Sequence, residues 1–101
     1  MPPPNEVPAK TPVIYNTTMT SAGTEYSQAL PAGTKKFMIH TQDESAFRLA
    51  FVTGKVAAPT APYLSIPANT RYSETDVYVA SLTLYFASAN AGKIVEIVAW
   101  T

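Results

Sequence analysis

An all-β sandwich, jelly-roll-like and of about eight strands, is the fold that this sequence predicts. Three observations carry the reading. First, one phrase is used twice: Leu30-Pro31-Ala32-Gly33-Thr34-Lys35 recurs as Ile66-Pro67-Ala68-Asn69-Thr70-Arg71. In each copy proline sets φ at the first turn position, and Gly or Asn follows where a left-handed φ is needed. Second, several runs alternate apolar and polar residues with period two, the mark of a half-buried strand. Third, turn signals recur about every 8–12 residues, the spacing of a sandwich or small barrel.

The elements follow in order. Residues 1–12 hold five of the nine prolines, Pro2, Pro3, Pro4, Pro8 and Pro12. Such a segment suits neither a helix nor a sheet interior and runs extended. It is read as an arm, with residues 13–101 forming the sandwich domain. Val13 to Thr20 is rich in β-branched and aromatic residues and reads as a strand. Ser21 to Thr24 turns, and Glu25 to Leu30 is a short strand leading into the first copy of the phrase. Lys35 to Gln42 alternates, with Phe37, Ile39 and Thr41 on one face and Lys36, Met38 and His40 on the other. After a polar hairpin turn at Asp43-Glu44-Ser45, Ala46 to Thr53 alternates again, with Phe47, Leu49 and Phe51 on the apolar face.

Gly54 to Pro62 has two prolines and no period, so it reads as a long loop. Tyr63 to Ile66 and Arg71 to Glu74 flank the second copy of the phrase as partner strands, which leaves open a weak internal duplication or the same hairpin found twice. Thr75 to Ala80 is open between strand and irregular chain. Ser81 to Ala87 places Leu82, Leu84 and Phe86 on one face. A hairpin loop at Ser88 to Gly92 leads into Lys93 to Trp100. The expected core is Phe37, Ile39, Phe47, Leu49, Phe51, Leu82, Leu84 and Phe86.

The last strand is apolar on both sides, broken only by Glu96. One side points into the sandwich. The other carries Ile94, Val98 and Trp100, which stay exposed unless the arm, the long loop or another molecule covers them. Charged residues are 14% of the chain, against about 25% in an ordinary globular domain. Part of the surface is therefore expected to be covered by copies or partners. The arm has few apolar groups to dock on its own domain, and its stiffness lowers the entropy lost on ordering. The expected interface is Pro2, Pro3, Pro4, Val7, Pro8 and Pro12 of the arm with Ile94, Val98 and Trp100.

Chemistry is sparse. There is no cysteine and a single histidine, His40, so neither thiolate nor multi-imidazole metal sites are available. His40, Asp43 and Ser45 sit in one strand–turn segment, which seldom orients a base between nucleophile and acid. Asp43-Glu44 and the pair Glu74 and Asp76 read as solvated surface, short of the six to eight oxygens that calcium takes. No catalytic, cofactor-binding or metal-ligating residue is assigned. Net charge is zero with no basic stripe, against phosphate-neutralising nucleic-acid binding. No apolar run approaches the ~20 residues of a membrane span, and the start Met1 to Glu6 lacks the plan of a secretory leader. The expected setting is the cytoplasm of the cell that makes the protein. Tyr72, Tyr78 and Tyr85 are candidates for a sugar-binding platform, which leaves a carbohydrate-binding module as the alternative. A small hydrolase fragment is a distant third.

The run Ala29 to Phe37, with Ala46-Phe47-Arg48-Leu49-Ala50-Phe51, Leu84-Tyr85-Phe86 and Val95-Glu96-Ile97, resembles small β-sandwich accessory proteins of tailed-bacteriophage virions. The likeness covers roughly residues 13–101 and consists of turn-and-strand phrases. It implies a non-enzymatic decoration or cement subunit that binds the major capsid protein and further copies of itself, often as a trimer, within the virion. It carries over no functional residue. The carbohydrate-binding alternative would place the module on a virion fibre or surface.

Overall fold

β-branched and aromatic runs separated by Pro, Gly and Asn turns leave the chain little choice but strands. The computed structural model, which describes residues 11–77 and 79–101, contains eight of them. They are β1 (Val13–Met19), β2 (Tyr26–Ala29), β3 (Lys36–Thr41), β4 (Phe47–Ala50), β5 (Leu64–Ile66), β6 (Tyr72–Glu74), β7 (Thr83–Ala87) and β8 (Lys93–Trp100). They form two four-stranded antiparallel sheets, in the orders β1-β8-β3-β6 and β2-β7-β4-β5. This is the expected jelly-roll sandwich. The arm positions Pro2, Pro3, Pro4, Val7 and Pro8 lie outside the described residues, as does Tyr78.

The core lies between the sheets. Phe37 and Ile39 of β3, Phe47 and Leu49 of β4, Leu84 and Phe86 of β7, and Val95, Ile97 and Ala99 of β8 are all buried there. Met19, Leu30 and Ile66 complete the cluster. Alternation therefore identified the inward face of each of these strands. Leu82 is only half-buried at the margin of the core. Phe51 is a correction: it is 40% exposed. The chain leaves the sheet after Ala50, so the period that carried Phe47 and Leu49 inward ends before Phe51. Its ring instead rests edge-on against Phe37, with centroids 6.3 Å apart, and beside Tyr72 at the sandwich mouth.

The twin phrases form the turns expected of them. Gly33 has φ 78° and Asn69 φ 64°, both left-handed. Thr34 and Thr70 each donate a side-chain hydroxyl back to the carbonyl of the phrase's proline, Pro31 and Pro67, at 2.7 and 2.6 Å. The strands they join are not hairpin partners, however. β2 and β3 belong to different sheets, and so do β5 and β6. The turns at 43–45 and 88–92 likewise cross from one sheet to the other. Among the consecutive strands only β4 and β5 pair directly, across the long loop 51–63. A tight turn sets the reversal of the chain but not whether the next strand lies beside the last or across from it. Here the apolar faces decide, because crossing lets both strands turn their apolar residues into one core.

The outer faces of the two sheets differ. On the second sheet, Ala50 and Ala87 point outward and leave a shallow bed beside Tyr63 and Tyr85. The loop 51–63 lies over it, with Val56 fully buried in that bed. Arg48, also facing outward, donates to the carbonyls of Val56 and Ala57. From β2's side, Glu25 accepts bonds from the Thr53 hydroxyl (2.7 Å) and the Gly54 N–H (2.9 Å). Burial works to raise the Glu25 carboxyl. The hydroxyl of Thr53 and the N–H groups of Gly54, Lys55 and Val56 outweigh it and hold the group below the ordinary carboxylate value. The loop is thus clamped from both sides by two oppositely charged residues.

Candidate functional site

The first sheet has no such cover among the described residues. Its outer face is built by the even-numbered residues of three adjacent strands, a consequence of the two-residue side-chain period. Register sets Ile14 of β1 opposite Val98 of β8, and Val98 opposite Met38 of β3. Three apolar side chains therefore form a row across the sheet. Ile14 is 67% exposed, the most open large apolar residue of the described chain. A shallow depression lined by Ile14, Met38, His40, Glu96 and Val98 follows this row.

The sequence placed Ile94, Val98 and Trp100 on this face, and they do lie there, each half-buried. They are not equivalent. Val98 is central to the row. Trp100 stands opposite Lys36, whose ammonium lies 4.4 Å from the centroid of the indole ring. This cation–π contact covers one side of the ring. Ile94 faces Thr18 at the far end of β8. Pro12, the expected arm contact within the described chain, is half-buried just before β1. Sequence reading missed Ile14 and Met38. Both were visible as outward positions of alternating strands, but only the pairing with β8 brings them together.

The polar groups around the row serve local structure. His40 Nε2 lies 3.1 Å from Glu96 Oε1 on the facing strand. Asp43 accepts bonds from the Ser45 hydroxyl and from Lys93 Nζ, each at 2.7 Å. These hydrogen bonds, from Lys93 first and then from Ser45, hold the Asp43 carboxyl down at about 2. His40, Asp43 and Ser45 thus form no relay: the histidine engages Glu96 while the other two cap the turn. Tyr72 donates its hydroxyl to Glu74 at 2.7 Å. Burial, and then that bond, push the Tyr72 phenol up to about 12. Among the described residues, no three His, Cys, Asp or Glu side chains gather in a way that would hold a metal ion.

Of the tyrosines suggested for a sugar platform, Tyr78 lies outside the described residues, and Tyr72 and Tyr85 do not share a surface. Tyr72 packs inward against Phe37, with ring centroids 5.9 Å apart, at the edge of the first sheet. Tyr85 faces outward on the second sheet, beneath the loop. No helix of the described chain is long and apolar enough to cross a membrane.

No protein-family model and no curated protein matches the chain. Among solved structures it is similar to a de novo designed double-stranded β-helix determined by solution NMR. The TM-score is 0.53 at 11% identity, with 89% of this chain and 97% of the other covered. That likeness is one of fold alone.

Proposed function

We propose that the chain is a non-catalytic structural protein of a virus particle, a decoration or cement subunit of a tailed-phage capsid. In this reading the outer face of the first sheet, with the proline-rich arm, docks on the capsid. The observation that carries it is the contrast between the two outer faces. The chain spends its longest loop and two charged anchors covering one face and leaves the row Ile14, Val98 and Met38 open on the other. A face left apolar while the opposite face is so thoroughly covered fits a docking role. The low charge content, and the turn-and-strand phrases resembling phage accessory proteins, support the same reading.

Co-sedimentation with empty tailed-phage capsids tests the proposal. Val98→Lys changes only the outer face of a central strand. It is expected to abolish capsid binding while the thermal transition stays within a few degrees of the parent. Deletion of residues 1–12 is expected to weaken binding without unfolding the domain. Unchanged binding by both variants would overturn the assignment.

A further inference from the structure

Every open sheet has edges, and an edge presents unpaired N–H and C=O groups to any strand that can align with them. This sandwich has four edges, formed by β1, β6, β2 and β5. Three are blunted. β6 has three residues, follows Arg71 and ends on Glu74. β5 also has three, enclosed between Pro62 and Pro67 a few residues apart, so few donors are available on either side. β2 has four residues and follows the loop anchor Glu25.

β1 is different. It is seven residues long, Val-Ile-Tyr-Asn-Thr-Thr-Met, with no charge and no proline. It pairs with β8 in unbroken register from Val13↔Ala99 to Met19↔Lys93, so no bulge bends it away. Among the described residues no strand lies on its other side.

We infer that β1 pairs antiparallel with β1 of a second copy of this chain, joining the two first sheets into one eight-stranded sheet about a two-fold axis at Asn16. Self-pairing in this register aligns the whole strand: Val13 faces Met19, Ile14 faces Thr18, Tyr15 faces Thr17, and Asn16 faces its own counterpart. Each pair joins positions of equal parity. Outward residues therefore meet outward residues, and inward meet inward, as a continuous pleat requires. A strand without charge opposes no like charges when it meets itself. The asparagine amide carries both donor and acceptor, so the residue on the axis complements its own copy. Ile14, the most exposed large apolar side chain, gains the Thr18 methyl across the new ladder. A two-fold axis closes the contact, so the assembly stops at two instead of growing into a fibre. The pairing uses the edge of the sheet, not its face. It stands whether or not the face binds a capsid.

Light scattering on the full chain with charge variants at the axis tests this. Asn16 faces Glu96 within the protomer, so Asn16→Lys is compatible with the fold while setting two lysines against each other at the axis. The unaltered chain is expected at twice the chain mass of 10.9 kDa, and Asn16→Lys and the double variant Asn16→Asp/Glu96→Gln, which spares the aspartate a facing carboxylate, each at the chain mass. An equimolar mixture of the two variants is expected to return to twice the chain mass, since lysine then meets aspartate. A variant that merely unfolds would not be rescued by mixing. Ser73→Lys on the opposite edge is expected to leave the mass unchanged. The inference is overturned by an unaltered chain at one or three times the chain mass. It is equally overturned if either Asn16 variant keeps the parent mass, if mixing fails to restore the pair, or if Ser73→Lys dissociates it.

Discussion

Arg48 Nε donates to the carbonyl oxygen of Val56 at 2.7 Å, tying the middle of the long loop to the strand beneath it. The same loop residue buries its side chain between Ala50 and Ala87. One residue is thus held twice, through its backbone by a cation and through its side chain by two small residues. Val56→Ala is expected to cost about 2 kcal/mol from lost apolar burial. Arg48→Met, which leaves that carbonyl without its donor, is expected to cost about 1–2 kcal/mol. Because both release the same loop, the double variant should cost less than the sum. Urea unfolding of the three variants gives the comparison.

Phe51 and Phe86 offer a paired test of where the core ends. Phe86 is fully buried, and Phe86→Ala is expected to cost about 3–5 kcal/mol. Phe51 lies beyond the end of β4 and keeps a large part of its ring in water. Phe51→Ala is expected to cost about 1 kcal/mol, the edge-on contact with Phe37 included. Equal costs in denaturant titrations would place the core boundary elsewhere.

The left-handed turns make a third prediction. A Cβ at Gly33 would meet no atom within 4 Å, so any cost there comes from the backbone alone. Gly33→Ala is expected to destabilise by about 1 kcal/mol. Asn69→Val, which adds β-branching at φ 64°, is expected to cost more than Asn69→Gly. Thermal melts of the three variants check the order.

Stability should depend on pH at both extremes. The Asp43 carboxyl is depressed from 3.8 to about 2, so between those values the unfolded chain binds the extra proton. Its contribution is present above pH 4 and is lost as the pH falls through about 2. Salt weakens it, because the pair with Lys93 is exposed. Tyr72 is raised from 10 to about 12, so its contribution is present below pH 10 and is lost as the pH rises toward 12. Asp43→Asn should flatten the acid limb only, and Tyr72→Phe the alkaline limb only, in pH-resolved unfolding curves.

Strands, inward faces and turn geometry were all readable from local patterns. Phe37, Ile39, Leu84 and Phe86 sit where alternation placed them, and Gly33 and Asn69 have the φ that their phrase demands. Readability failed where distant residues decide. The turns after Leu30 and Ile66 have hairpin chemistry, yet each crosses between sheets, because that choice depends on a core assembled from all eight strands. Phe51 continued a perfect alternation, but β4 ends at Ala50 and the chain leaves the sheet before that position. Ile14 and Met38 are 24 positions apart in the sequence, and only β8, pairing with both, makes them neighbours.

The covered side of the second sheet gives the molecule a front and a back. Ala58, Pro59, Thr60 and Ala61 form an exposed crest on the loop, beyond the buried Val56. Whatever meets the first sheet leaves that crest on the far side of the sandwich, two sheet layers away. A peptide spliced in after Pro59 would therefore project from the side of the sandwich opposite the row Ile14, Val98 and Met38. The open row of the first sheet and the loop crest of the second are thus kept apart by the hydrophobic core between the sheets.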